Sequence, residues 1–121
     1  MSPRAACALL RVSIEKLCNV LKAEGHSLND KIGDLVRRGL PEQTKQSLDA
    51  VRVIGNNAVH PGVMSNDDVA EVSTILFALV NYIVDDRITR PKMAAQVFAS
   101  LPPGALKAIE KRDNGKAEGS K

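Results

Sequence analysis

The sequence predicts an all-α protein: an up-and-down bundle of four main helices, followed by short C-terminal helices and a disordered tail. In four successive segments, apolar residues recur at spacings of three and four. No run alternates apolar and polar residues for long enough to indicate a strand. Residues typical of helix ends bound each segment. A chain of 121 residues can bury a core, so we expect one domain over residues 1–112 and a tail over 113–121.

The first two predicted helices begin at serines and end near glycines. Ser2 followed by Pro3 is a favourable helix start, and the first helix should run to about Lys22. Its apolar stripe consists of Leu10, Ile14, Leu17 and Leu21. Ser27 can cap the second helix, which should end with a basic last turn and Gly39.

The third and fourth predicted helices are separated by a proline and a glycine. Pro41 suits the first turn of the third helix, whose apolar register is kept by Leu48, Val51, Ile54 and Ala58. Pro61 disfavours a helical residue before it, which places His60 at or just past the helix C-terminus. Ser65 can cap the fourth helix, with Asp68 in the capping-box position. Its segment ILFALVNYIV, residues 75–84, is apolar nearly all round, which indicates a central helix or one at a subunit interface.

The C-terminal third of the chain has shorter apolar segments and more polar residues than the rest. Basic residues at 87 and 90 and a proline at 91 should end the fourth helix. Short helices are expected over 93–101 and 105–112. The remaining DNGKAEGSK is small, polar and charged, so disorder is expected there.

Composition bounds the class of protein. Two Phe, one Tyr and no Trp require an aliphatic core, and a net charge of +3 is too small to argue for an anionic partner. Cys7 and Cys18 would lie roughly 16 Å apart along one helix, which excludes a disulfide between them. Spare thiols fit a reducing compartment. Because the longest apolar run is about half of a bilayer span, and because the chain starts without a secretory pattern, we expect a cytoplasmic protein with no membrane contact.

The main candidate site is a polar stripe on the third helix. Arg52, Asn56 and His60 are spaced by four, which places them on one helical face. In the functional interpretation Arg52 holds an anion, Asn56 orients it and His60 acts as acid or base. In the structural interpretation His60 closes the last turn and Arg52 is solvated. Spacing alone favours the structural interpretation.

An ion pair on the first helix and a glycine on the third helix bear on this polar stripe. Arg11 and Glu15 are spaced by four on the first helix; they form an exposed ion pair or they reach the face of Asn56 and His60. Gly55 lies in a helix interior, where glycine costs about 1 kcal/mol relative to alanine. We therefore expect a close helix crossing or a backbone contact at Gly55.

The sequence lacks the common motifs of phosphate-binding, metal-binding and nucleophilic sites. It has no glycine-rich phosphate loop, no His/Cys spacing suited to zinc and no complete nucleophile set. We expect no cofactor and no metal, and we interpret Cys18 as a buried structural thiol. Arg37 and Arg38 complement the dipole of the second helix, or together with Arg52 they contact nucleic acid.

Three segments carry a resemblance to a known family: AACALLRVSIEKLC, KIGDLVRRGLP and above all VRVIGNNAVHPG. They resemble a bacterial domain of unknown function related to HEPN domains, which occurs alone and fused to type I restriction enzyme subunits. The resemblance covers roughly residues 3–88. It implies a HEPN-like helical bundle, often dimeric, in a setting of phage defence and nucleic-acid metabolism.

The resemblance also implies where a catalytic site would lie. HEPN ribonucleases carry an arginine, an adjacent polar residue and a histidine at one helix end. The polar residue and the histidine match Asn56 and His60, but the arginine position falls on Gly55. We therefore expect a non-enzymatic module that forms a homodimer and binds RNA, DNA or a partner protein. The alternative is a metal-independent ribonuclease using His60 and Asn56, with Arg52 or Arg11 replacing the missing arginine.

Overall fold

The structure is a computed structural model that describes residues 2–60 and 62–119, with side chains up to residue 115. Regular secondary structure in this part of the chain is entirely helical, which confirms the all-α class. The elements are α1 (Pro3–Val20), α2 (Leu28–Arg37), α3 (Glu42–Ala58), α4 (Asn66–Val84), a π-helical turn (Asp85–Thr89), α5 (Arg90–Ala99) and α6 (Pro103–Gly119). The chain divides into two compact units, the first ending at Arg87 and the second beginning at Ile88.

The first unit is built around three mutually packed helices. α1 packs against α3 and α4, α3 packs against α4, and α2 lies on α3 with a smaller contact to α1. The core is aliphatic, as the composition predicted; its most buried large side chains are Ile14, Leu48, Val51, Val69, Leu76 and Ile83. Each such side chain contributes roughly 1.5–3 kcal/mol to stability when it leaves water.

The predicted helix starts are confirmed by their caps. The hydroxyls of Ser2, Ser27 and Ser65 each accept a hydrogen bond from the backbone N–H three residues later, at 3.0–3.1 Å. Such a cap contributes about 1 kcal/mol. The glycine stop after α2 is confirmed too, because Gly39 has a φ of +98°, a conformation that favours glycine.

A polar cluster joins the start of α3 to the end of α4. The fully buried Thr44 donates to Asp86 Oδ2 at 3.0 Å, and its oxygen lies 3.1 Å from the Tyr82 hydroxyl. Because the Thr44 proton goes to the carboxylate, Tyr82 is the donor to Thr44. Arg87 Nε also donates to Asp86 Oδ2, at 2.8 Å. These contacts hold the first residues of the π-helical turn, where the sequence predicted only a helix end.

The second unit contains α5 and α6, which confirm the two predicted C-terminal helices. The sequence placed residues 88–112 in the single predicted domain, whereas the structure places them in the second unit. α6 continues to Gly119, and residues 120 and 121 lie outside the described residues. Disorder over 113–121 stays a prediction.

None of the helices in the described part of the chain is both long and apolar enough to cross a membrane.

Candidate functional site at the crossing of α1 and α3

α1 and α3 approach most closely at Gly55. A Cβ atom at this position would lie 2.8 Å from Arg11 Cβ and 2.9 Å from the Cys7 carbonyl oxygen, closer than real Cβ contacts. Only glycine therefore allows the two helices to pack at this distance. This confirms the close crossing that the cost of a helical glycine predicted.

Arg11 lies over this crossing. Its Cβ and Cγ are the side-chain atoms nearest to Gly55, and its Nη1 atom lies 3.6 Å from Glu15 Oε2. Arg11 thus pairs with Glu15, and its stem also contacts α3 at Gly55. The Arg11 side chain is 33% exposed, but its Nε atom is buried and has no hydrogen-bond partner.

Arg52 lies one turn before Gly55 on α3 and has a similar environment. Its Nη2 atom is 3.5 Å from Asp49 Oδ1, its side chain is 29% exposed, and its Nε atom is also buried without a partner. Both ion pairs are longer than the 2.7–2.9 Å of a strong charged hydrogen bond, so each contributes little. Each unsatisfied Nε costs about 1–3 kcal/mol. Each of these two arginines therefore lies beside one carboxylate, and the charges within each pair balance.

Asn56 and His60 lie outside this group. Asn56 is exposed on α3, one turn after Arg52. α3 ends at Ala58, so His60 lies past the helix end, as the Pro61-Gly62 pattern predicted; Pro61 itself is outside the described residues. The helical period therefore does not hold His60 on the face of Arg52 and Asn56. Within residues 2–60 and 62–119, no hydrogen bond or ion pair links the exposed His60 side chain to Arg11 or Arg52.

A residue that the sequence analysis missed holds the α3–α4 connection. Arg4 donates from Nη1 to the Ala58 carbonyl at 2.8 Å, from Nη2 to the Met64 carbonyl at 2.5 Å, and from Nε to Asn66 Oδ1 at 3.1 Å. One guanidinium thus satisfies two carbonyls and a side chain that are 54 or more residues away in sequence. No local pattern around Arg4 signals this role.

Arg38 is also committed to the fold. It donates to the carbonyl oxygens of Leu21 and Lys22 at the end of α1, and its Nη2 atom lies 2.6 Å from Asp34 Oδ2. These bonds give Arg38 a structural role at the end of α2, while contact of the double arginine with nucleic acid stays a prediction. Arg37, with 73% of its side chain exposed, has a single long ion pair, 3.9 Å to Asp34.

Both thiols are buried, which confirms the burial predicted for Cys18. Burial raises the pKa of Cys7, against a smaller lowering by the positive charge of Arg4. Burial also raises the pKa of Cys18, opposed in part by Lys31. Both thiols are therefore protonated at neutral pH, and neither is an activated nucleophile.

We expect both thiols to react with Ellman's reagent roughly 100-fold more slowly in the native protein than in urea, since reaction requires local opening.

The raised pKa values of the two thiols also predict that stability depends on pH. The unfolded chain releases thiol protons first, so the free energy of unfolding should fall as pH rises above the usual thiol pKa of 9.0. Below that pH the buried, protonated thiols make their full contribution to the free energy of unfolding. Cys18→Ala should reduce the decline, and rapid native labelling would contradict the prediction.

Two other features of the described residues carry little chemistry. No group of three or more His, Cys, Asp or Glu side chains in this part of the chain is placed to hold a metal ion. A shallow groove of about 300 Å³ runs between α3 and α4, lined by Gln43, Gln46, Ser47 and Leu79. It holds amides, a hydroxyl and an apolar side chain, without a titratable group among these four.

Comparison with known proteins identifies a family for this chain. A family model described as a domain of unknown function, DUF4145, matches residues 1–112. No curated protein and no solved structure matches the chain. The match confirms the family part of the resemblance noted in the sequence, while the relation to HEPN domains stays a prediction.

Proposed function

We propose that this chain, which belongs to the DUF4145 family of domains of unknown function, is a non-enzymatic HEPN-like helical module that forms a homodimer and binds a protein or nucleic-acid partner. In this proposal the helices of the first unit act as an up-and-down four-helix bundle. The observation that carries the proposal is the apolar surface of α4. The partner class and a role in phage defence rest on the sequence resemblance.

α4 is apolar beyond the faces that it buries. Ile75 is 56% exposed and Phe77 is 50% exposed, although they are only two residues apart and point roughly 200° apart around the helix. Both flanks of α4 therefore present large apolar side chains to water. A neighbouring chain is the simplest source of cover for either flank. In a two-fold dimer, covering one such half-exposed side chain on each copy would contribute roughly 1.5–3 kcal/mol in total.

The geometry at the α1–α3 crossing supports a non-enzymatic function. The position of the HEPN arginine is Gly55, where the Arg11 stem and the Cys7 carbonyl leave no room for a side chain. Arg11 and Arg52 are paired with carboxylates, and neither is bonded to His60 within the described residues. A ribonuclease needs a cation at the reacting phosphate, and in the part of the chain that the structure describes neither Arg11 nor Arg52, the two arginines considered for this role, is bonded to His60.

Light scattering of the purified protein at micromolar concentration tests the self-association. We expect the mass of two chains, and we expect the double substitution Ile75→Ser/Phe77→Ser to weaken dimerisation at least roughly 30-fold through lost apolar burial. The matched control is Leu9→Ser/Val12→Ser, which removes two comparably exposed apolar side chains from α1. A monomeric mass for the unsubstituted protein would end the proposal.

Incubation with RNA tests the non-enzymatic half. We expect no cleavage by the purified protein. Cleavage that disappears in His60→Ala would establish the ribonuclease alternative instead, whereas cleavage that survives the substitution would point to a contaminating nuclease or another site.

A further inference from the structure

We infer that α5 of one chain docks on the α4 flank of a second chain, and that this contact is reciprocal. The flank is defined by Glu71, Ile75 and Leu79, which follow one another at spacings of four. The inference rests on the proposed self-association and specifies which surfaces carry it. Three observations support it: an uncovered apolar face on α5, opposite charges on the two units, and a groove beside the flank.

α5 presents an apolar face that has no cover. It has ten residues, and none of them is buried. Met93, Val97 and Phe98 fall within an arc of roughly 140°, with exposed fractions of 58%, 66% and 50%. Isolated helices of this length are marginal in water. An amphipathic helix of this kind is stabilised when another apolar surface covers its apolar face.

The charges of the two units favour an attachment between copies. Residues 88–121 contain seven basic and three acidic residues, a net charge of +4, while residues 1–87 contain ten basic and eleven acidic residues, a net charge of −1. Unlike charges steer two surfaces together and set which surfaces meet. A second copy supplies this complementarity twice, once in each direction, as a two-fold dimer requires.

The α4 flank matches what α5 needs. At its N-terminal end lie Asp68 and Glu71, which are exposed and whose carboxylates have no ion-pair partner within the described residues. Asp68 also complements the dipole of α4, but Glu71 lies about one turn further along and is less useful for that purpose. Ile75 follows, 56% exposed. The flank therefore runs from acidic to apolar along one side of the helix.

The groove between α3 and α4 lies on this same side. Leu79, the third residue of the flank, forms one wall of the groove of about 300 Å³, and Gln43, Gln46 and Ser47 form the rest. A space of this size accepts a side chain such as Met93 or Phe98 of the other copy. Its amide groups can hydrogen-bond at the rim of a helix seated there, which is the usual distribution of apolar centre and polar edge in an interface.

Cross-linking between two differently tagged variants tests the inference on the full chain. We expect a short bis-maleimide to join Ile75→Cys of one copy to Val97→Cys of the other when the two variants are mixed. The matched control is Phe77→Cys mixed with Val97→Cys, because Phe77 is comparably exposed but lies on the opposite flank of α4. We expect at least a roughly fivefold lower yield for this control, since the reagent reaches only across the contact. The native thiols are buried and contribute little.

Glutamate substitutions at two positions of α5 provide a second test of the inference. Val97→Glu should weaken dimerisation at least roughly tenfold in light scattering, because it buries a charge in the contact. Gln96→Glu, which lies outside the apolar arc of α5, should change it by less than about threefold. Equal effects of the two substitutions would overturn the inference.

The outcomes separate the inference from the proposed function. A monomeric unsubstituted protein would end both. A dimer that gives no Ile75–Val97 product, or gives equal yields for Ile75 and Phe77, would overturn the docking of α5 on this flank and leave self-association standing. Cross-linking that occurs only within one chain carrying both cysteines would also overturn it.

Discussion

Substituting Gly55 by arginine, the residue that the proposed HEPN relation implies at this position, is expected to prevent the first unit from folding. The reason is the space at the crossing. Even a Cβ atom would lie 2.8 Å from Arg11 Cβ and 2.9 Å from the Cys7 carbonyl oxygen. The Arg11 Cβ and the Cys7 carbonyl belong to α1 itself, so a rotamer change cannot move them away. The helices would have to separate, and the buried residues around Cys7 would be exposed.

Gly55→Ala adds only a Cβ atom at the crossing, so the protein should still fold and the cost in stability can be measured. Overpacking of a core typically costs 1–3 kcal/mol, and the better helix propensity of alanine returns about 1 kcal/mol. We expect a net loss of up to about 2 kcal/mol in the free energy of unfolding, measured by urea denaturation and circular dichroism. For Gly55→Arg we expect no cooperative transition and no ribonuclease activity.

Gly33→Ala is the matched control for Gly55→Ala. Gly33 also lies within a helix of the first unit, but a Cβ there meets only Arg37 Nη1, at an ordinary 3.5 Å. We expect Gly33→Ala to stabilise the protein by roughly 0.5–1 kcal/mol, because alanine restricts the unfolded chain more than glycine does. Equal effects at the two positions would show that the crossing is not the cause. A folded Gly55→Arg protein would contradict the close packing directly.

The features that the sequence predicted well are those with a local cause. The three serine caps, the glycine after α2 and the end of α3 before His60 follow from hydrogen bonds and backbone preferences within a few residues. Gly55 was predictable for a related reason: a helical glycine carries a cost, and a close contact is the usual compensation.

The features that the sequence did not predict depend on long-range contacts. Arg4 bonds to Ala58 and Met64, and Thr44 bonds to Asp86, with separations of 42 to 60 residues. A single sequence contains no periodicity that connects such positions. The candidate stripe shows the same limit: its spacing placed Arg52, Asn56 and His60 on one face, but the helix end two residues before His60 removed the third member.

Arg4→Met is expected to lower the free energy of unfolding by roughly 2–3 kcal/mol. Methionine keeps the length and the apolar stem of the side chain but removes all three hydrogen bonds, including the bonds at 2.8 Å and 2.5 Å to the Ala58 and Met64 carbonyls. Hydrogen bonds to a charged group contribute about 1.5–3 kcal/mol each, and they do not add fully when they share one side chain that is partly exposed. The Arg4 side chain ties the first turn of α1 to both ends of the α3–α4 connection, so its loss should act on that connection first.

Urea denaturation measures the total loss, and amide hydrogen exchange locates it. We expect the Val63 and Met64 amides to exchange faster in Arg4→Met, while amides in the middle of α1 change only by the global loss of stability. Arg4→Lys keeps the charge but cannot present a planar guanidinium to three acceptors. We therefore expect it to lower the free energy of unfolding by less than Arg4→Met does. Arg37→Met is the control, because its guanidinium is largely exposed and has one ion pair at 3.9 Å; we expect a change below about 0.5 kcal/mol. If Arg4→Met changed stability no more than Arg37→Met, the three bonds would not hold the connection on which His60 lies.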